Sequence, residues 1–161
     1  MAKIIDGKYC LSWEDVEAGC KRIAHLLKDK QIDLIIPLVR GGLTPGVLLS
    51  EMLNVKDVDP MKISTRAGLA FWPDREKWQV WLNTNVNVLV IDDIVDSGKT
   101  FDMLMGSAKH AQCPSNVYLA SLVINTNAVP KHFDLGNVIH YLSVSKDENE
   151  FPWVVFPWDC Q

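Results

Sequence analysis

The chain has 161 residues, is 48% hydrophobic and 22% charged, and carries a formal net charge of −4. These figures suit a single globular domain over residues 1–161 with one hydrophobic core. They argue against broad nucleic-acid binding, which needs a basic face. No apolar run approaches the roughly 18 residues that span a bilayer, so no membrane partner is expected. The opening stretch MAKIIDGKYC lacks the apolar h-region of a secretory signal, and the expectation is a cytoplasmic protein. Cys10, Cys20, Cys113 and Cys160 are scattered, without a C-x-x-C pair or a histidine at zinc-ligand spacing. Free thiols are expected.

In chain order, Ser12 followed by Asp15 forms a helix N-cap box. Val16, Cys20, Ile23, Leu26 and Leu27 then recur at helical spacing, predicting a helix to about Asp29. Leu34 to Val39 is a short apolar run bounded by Asp33 and Arg40-Gly41-Gly42, and reads as a buried strand. Pro45 opens a second helix. Val58 to Thr65 holds a further strand. Arg66 to Asn85, with Gly68, Pro73 and the tryptophans Trp72, Trp78 and Trp81, reads as a long excursion, partly a β-hairpin, of the kind that forms a lid or an oligomer interface. Asn87 to Ile91 is the clearest strand, and a helix follows from about Phe101 to Ala111. Val117 to Ile124 and Val138 to Ser143 are two more strands. Phe151 to Gln161 is rich in Pro and Trp and is neither clear helix nor clear strand. The alternation predicts an α/β fold: a mostly parallel twisted sheet flanked by helices, with ligands beyond the C-terminal strand ends.

The chemistry is concentrated in Val88 to Thr100, VLVIDDIVDSGKT. The strand delivers the adjacent carboxylates Asp92 and Asp93. Ser97, Gly98, Lys99 and Thr100 follow at a helix start, where successive N–H groups make an anion nest and Gly98 permits close backbone approach. A phosphate on that loop with a polyol beside the carboxylates describes a ribose phosphate. The P-loop pattern G-x-x-x-x-G-K-[ST] fits Gly98-Lys99-Thr100 but would put its first glycine at Asp93, whose charge repels phosphate.

VLVIDDIVDSGKT resembles the signature with which type I phosphoribosyltransferases bind phosphoribosyl pyrophosphate (PRPP). Pro37-Leu38-Val39-Arg40-Gly41-Gly42 resembles the family's pyrophosphate loop, and Leu119 to Ile124 the strand before its purine-contacting residue. Trp153 to Asp159 resembles the C-terminal hood, most like that of the bacterial xanthine-guanine and hypoxanthine members. The resemblance covers nearly the whole chain. It implies the type I phosphoribosyltransferase fold with a small hood at about residues 143–161. It also implies a homo-oligomer, dimeric or tetrameric, whose partners are PRPP and a 6-oxopurine base.

By the same resemblance, Arg40, Gly41 and Gly42 hold pyrophosphate, and Asp92 and Asp93 hold ribose hydroxyls or Mg²⁺. Asp96 is the general base for the purine imidazole ring. Ser97, Gly98, Lys99 and Thr100 bind the 5′-phosphate, Asn125, Trp153 and Val154 meet the base, and Asp159 helps hold Mg²⁺. A cis peptide is implied between Val39 and Arg40. Two positions depart from the family. Asn125 stands where a lysine usually donates to the 6-oxo group, and Ser64 is followed by Thr65 and Arg66 where Ser-Tyr is usual. Losing that cation replaces a hydrogen bond worth roughly 1.5–3 kcal/mol by one of about 1 kcal/mol. Asn125→Lys is therefore expected to raise kcat/KM for guanine or hypoxanthine. A PRPP-sensing regulator of the same fold and a transferase for another acceptor base are the alternatives.

Overall fold

The computed structural model describes residues 3–64, 71–108, 116–126, 138–144 and 153–159. Its centre is a five-stranded sheet built from β3 (Leu34–Pro37), β4 (Asp57–Val58), β5 (Asn87–Val95), β6 (Asn116–Asn125) and β7 (Val138–Val144), after an N-terminal pair β1 (Lys3–Ile5) and β2 (Lys8–Cys10). The order is β4-β3-β5-β6-β7 and every pairing is parallel. Both faces are covered, which is why β3 and the Val88–Ile91 part of β5 read as unbroken apolar runs. On one face Ile35, Leu89, Ile91, Ala120 and Leu122 meet α1 (Trp13–Leu27) and α2 (Leu43–Leu53) through Val16, Cys20, Ile23, Leu27 and Leu49. On the other, Leu34, Ile36, Val88, Val90 and Leu119 meet Trp78 and Leu82 of α3 (Arg75–Leu82) and Phe101 and Leu104 of α4 (Lys99–Ala108).

The predicted caps and boundaries are largely met. Ser12 and Asp15 form a complete capping box on α1. α4 begins at Lys99, two residues earlier than expected, and residues 109–111 of its predicted span lie outside the described residues. The strand expected over Val58 to Thr65 is cut to Asp57–Val58. Its pairing nevertheless continues past Pro60: Asp59 N and Met61 N donate to Ile35 O and Pro37 O at 2.9 Å each, and Met61 bridges Leu38, so Pro60 takes the ladder position that faces away from β3 at the open edge of the sheet, where no N–H is needed.

Of the excursion expected over residues 66–85, residues 66–70 lie outside the described residues; Ser64 and Phe71 on either side form one antiparallel bridge, and the remainder carries helix α3. The tryptophans explain the helix. Trp78 and Leu82, one turn apart, are both buried. Trp78 Nε1 donates to Ser107 Oγ at 2.8 Å and Trp81 Nε1 to Asp59 Oδ2 at 2.8 Å. Lys77 adds an ion pair with Asp59. Trp78 and Trp81 thus pin α3 to the sheet, and Trp72 packs against the same core. Trp78 in particular is an interior residue, not a lid or interface residue.

The two ends of the chain meet in a second sheet of order β1-β2-β8, with β8 at Val154–Val155. β1 and β2 are antiparallel around Asp6 (φ 48°) and Gly7 (φ 73°), the left-handed pair that a tight hairpin requires. β8 then runs parallel to β2, pairing Tyr9 with Val154 and Cys10 with Val155. Of the hood span, residues 145–152 and 160–161 lie outside the described residues. Cys10 and Cys20 are free thiols, and burial pushes Cys20 up to about 12, leaving it unreactive. Cys113 and Cys160 lie outside the described residues.

Candidate active site

From β3 the chain turns outward to β4 and then crosses to β5 on the other side, so the β3/β5 boundary is the topological switch point of the sheet. A cleft of about 1140 Å³ opens there. It is lined by residues following β3, by Ile63 and Ser64 beyond β4, by the end of β5 and the loop into α4, and by β8 with the residues flanking it.

The turn after β3 is shaped by close packing. The Val39–Arg40 peptide is cis, as the resemblance implied. Gly42 N–H donates to Leu38 O at 2.9 Å, and Leu38 N–H to Ile91 O at 2.9 Å, which ties the turn to β5. A methyl group on Gly42 would lie 2.7 Å from Leu38 N and 2.8 Å from Leu38 O, and nearer still to Ile91 O. One on Gly41 would fall on the Asp93 carboxylate. The two glycines are required so that the turn can lie directly against the end of β5.

β5 carries both carboxylates within the strand; it does not end before them, as the sequence reading had it. Asp92 Oδ1 accepts from Asp93 N–H at 2.9 Å, and Asp93 Oδ1 from Ile94 N–H at 2.7 Å. Both reach the cleft surface, yet both titrate above the usual carboxylate range. Burial is the larger cause for each. Repulsion by Asp93 adds for Asp92, and the charge of Asp159 adds for Asp93. Beyond Val95 the loop turns at Gly98, with φ 69°, and α4 begins. Ser97 and Thr100 line the cleft at that helix start.

The third wall is held by aromatic packing. Phe156 stacks on Trp158 at 4.9 Å and 6°, and Trp158 meets Trp13 of α1 at 5.9 Å and 55°. Asp159 Oδ2 accepts from Phe156 N–H at 2.9 Å, closing a short turn. Trp153 stands at the rim, 67% exposed.

The cleft thus gathers Arg40, Gly41, Asp92, Asp93, Asp96, Ser97, Gly98, Thr100, Trp153, Val154 and Asp159 of the predicted residues. Three predicted residues stand off it. The Gly42 N–H is spent on Leu38 O, so the residue serves by lacking a side chain. Lys99 is exposed on α4. Asn125 is 2% exposed, and its Nδ2 donates to Asp96 Oδ1 at 2.8 Å. Trp158, Phe156, Ile63 and Phe101 line the cleft without having been singled out. Asp6-Gly7, a dipeptide that favours a tight hairpin and was not weighed in the sequence, is the signal that could have located the strand with which β8 pairs.

Among the described residues, no three of His, Cys, Asp or Glu are grouped so as to hold a metal ion by themselves. No described helix is long and apolar enough to cross a membrane.

The fold and site together define an α/β domain with a cleft at its switch point, lined by a carboxylate pair, a cation-bearing turn and a helix start. No family model matches the chain. The xanthine-guanine phosphoribosyltransferase of Desulfotalea psychrophila is 28% identical over 164 residues, covering 95% of this chain and 87% of that protein. That of Roseobacter denitrificans is 25% identical over 162 residues, covering 92% and 84%. The crystal structure of a purine phosphoribosyltransferase from Pyrococcus horikoshii has a TM-score of 0.73 at 22% identity, covering 96% of each chain. The chain is thus related in sequence to phosphoribosyltransferases along nearly its full length and shares their fold.

Proposed function

We propose that the protein is a PRPP-dependent purine phosphoribosyltransferase that uses a 6-oxopurine base. The observation that carries this reading is the convergence on one cleft of Arg40, the Asp92–Asp93 pair and the Ser97–Thr100 helix start, on a chain related to enzymes of that name.

The bond formed joins a purine ring nitrogen to the anomeric carbon of PRPP as the bond from that carbon to pyrophosphate breaks. The helix start with Ser97 and Thr100 suits the 5′-phosphate, since N–H groups and hydroxyls point at an anion there. Arg40, on the turn beside the carboxylates, suits the departing pyrophosphate. Asp92 and Asp93 suit the ribose hydroxyls as acceptors. Asp96, on the cleft, takes the imidazole proton of the incoming base. Trp153 at the rim offers a stacking face, with Val154 beside it.

Mg²⁺ fits the acidic end of the cleft. Two carboxylates held above their usual range by burial and repulsion favour a nearby cation, and Asp159 adds a third negative charge. Since the described residues form no complete cage, the ion would be held by one or two of these carboxylates together with substrate oxygens, the usual mode for Mg²⁺. When bound it neutralises the charge developing on pyrophosphate.

The test is pyrophosphate release from PRPP and Mg²⁺ with guanine, hypoxanthine, xanthine and adenine as acceptors. Turnover is expected with 6-oxopurines, and the Asp92→Asn, Asp93→Asn double variant is expected to be folded and nearly inactive. Normal pyrophosphate release by that variant refutes the site.

A further inference from the structure

Asp96 is the first residue beyond β5, and Asn125 is the last residue of β6. The two strands are parallel neighbours in a register that pairs Val95 with Ile124. The next residue on each strand therefore falls beside the other, and there Asn125 Nδ2 donates to Asp96 Oδ1 at 2.8 Å.

The two partners are held unequally. Asn125 is buried and fixed on its far side, paired with Val144 of β7, while Thr126 N–H donates to Val144 O at 3.0 Å. Asp96 is exposed on the cleft, at the start of the loop that turns at Gly98. A rigid interior donor thus grips one oxygen of a carboxylate on a surface loop. The other oxygen is the one a ligand in the cleft would meet.

We propose that Asn125 is a positioning residue acting through Asp96, and not a contact to the base: its amide holds the Asp96 carboxylate in the orientation from which it accepts the imidazole proton of the purine. The inference rests on the transferase reading above. It also gives the asparagine a purpose that a lysine would not serve. A neutral amide orients a carboxylate without neutralising it, whereas an ammonium at this distance would form an ion pair and make Asp96 a weaker base. Asn125→Lys should then lower activity, the opposite of the expectation drawn from sequence alone.

The deciding experiment is a double-mutant cycle on the full chain with PRPP and Mg²⁺. Wild type, Asn125→Ala, Asp96→Asn and the double variant are each assayed with hypoxanthine, guanine and adenine. Asn125→Ala is expected to lower kcat by about tenfold to a hundredfold, the scale of one hydrogen bond to a charged group. The KM for PRPP should stay within about twofold, since the lost interaction serves the chemical step. The ratio of activities among the three bases should hold, and in the Asp96→Asn background the Asn125 change should add nothing.

Asn125→Leu keeps roughly the volume and removes the donor; it should show at least the same kcat loss, and it stands in if the alanine variant does not fold. Additive losses in the cycle, or an altered base ratio, overturn the proposal and return Asn125 to a packing or base-contact role. An Asp96→Asn enzyme with full kcat overturns it too, while leaving the transferase function in place. Absence of turnover by the wild type with every base overturns both.

Discussion

Gly41 and Gly42 are adjacent and chemically identical, yet the structure assigns them different consequences on substitution. On Gly42 the three atoms nearest an added methyl are all backbone: Leu38 N at 2.7 Å, Leu38 O at 2.8 Å and, closer, Ile91 O. None of these can move without shifting the end of β3 or β5. The backbone of Gly42 is ordinary right-handed helical, at φ −69° and ψ −13°, so the whole effect is steric. Overpacking of this kind costs about 1–3 kcal/mol, which for a chain of this length lowers Tm by roughly 2–12 °C. On Gly41 the methyl meets the Asp93 carboxylate, which can rotate away. That rotation breaks the 2.7 Å bond from Ile94 N–H, a loss of about 1–2 kcal/mol. The larger effect is on the cleft, because a carboxylate displaced by about 1 Å can lose a hundredfold in rate. Gly42→Ala should therefore be read mainly in thermal melts followed by circular dichroism. Gly41→Ala should be read mainly in kcat/KM from pyrophosphate release. A Gly42→Ala protein melting with the wild type, or a Gly41→Ala protein with wild-type kcat/KM, would refute the packing argument.

Two further outcomes follow from the same geometry. Asp92 titrates above the usual carboxylate range in the folded chain, so the folded state binds its proton more tightly than the unfolded state does. The penalty is absent at acid pH, where both states are protonated, and grows as pH rises past the ordinary carboxylate range. Asp92→Asn should thus raise Tm at neutral pH, with the gain vanishing toward pH 3–4; a variant less stable than wild type at pH 7 contradicts the penalty that burial and the neighbouring Asp93 place on the Asp92 charge. Trp78→Ala removes a fully buried ring and its bond to Ser107, and should cost about 3–5 kcal/mol. Since no α3 residue lines the cleft, kcat well below the new Tm should barely change, whereas a lid role would lower kcat and leave Tm in place.

The strand β5 and the loop behind it were readable in the chain because their information is local. An apolar run, two adjacent acids and a Ser-Gly-Lys-Thr helix start lie within thirteen consecutive residues. Each acts on its immediate neighbours, so the ordering of residues carries the geometry. The same holds for the α1 capping box. Reading failed where the answer depended on what packs against a segment. Trp78 and Trp81 looked like an irregular excursion, because a helix held by Ser107 and Asp59 shows only once those residues are brought alongside.

By itself, then, the sequence determined the layered α/β class and the acidic, phosphate-seeking character of the central loop, since both rest on periodicity and on neighbours along the chain. The tertiary structure alone decided that the Arg40 turn lies against Asp93, and that the chain's two ends close a small sheet beside the cleft. It also decided that Asn125, 29 residues from Asp96, grips that carboxylate and does not face the cleft. These contacts are set by the register between parallel strands, and register follows from the whole sheet packing at once, which no local stretch of residues encodes.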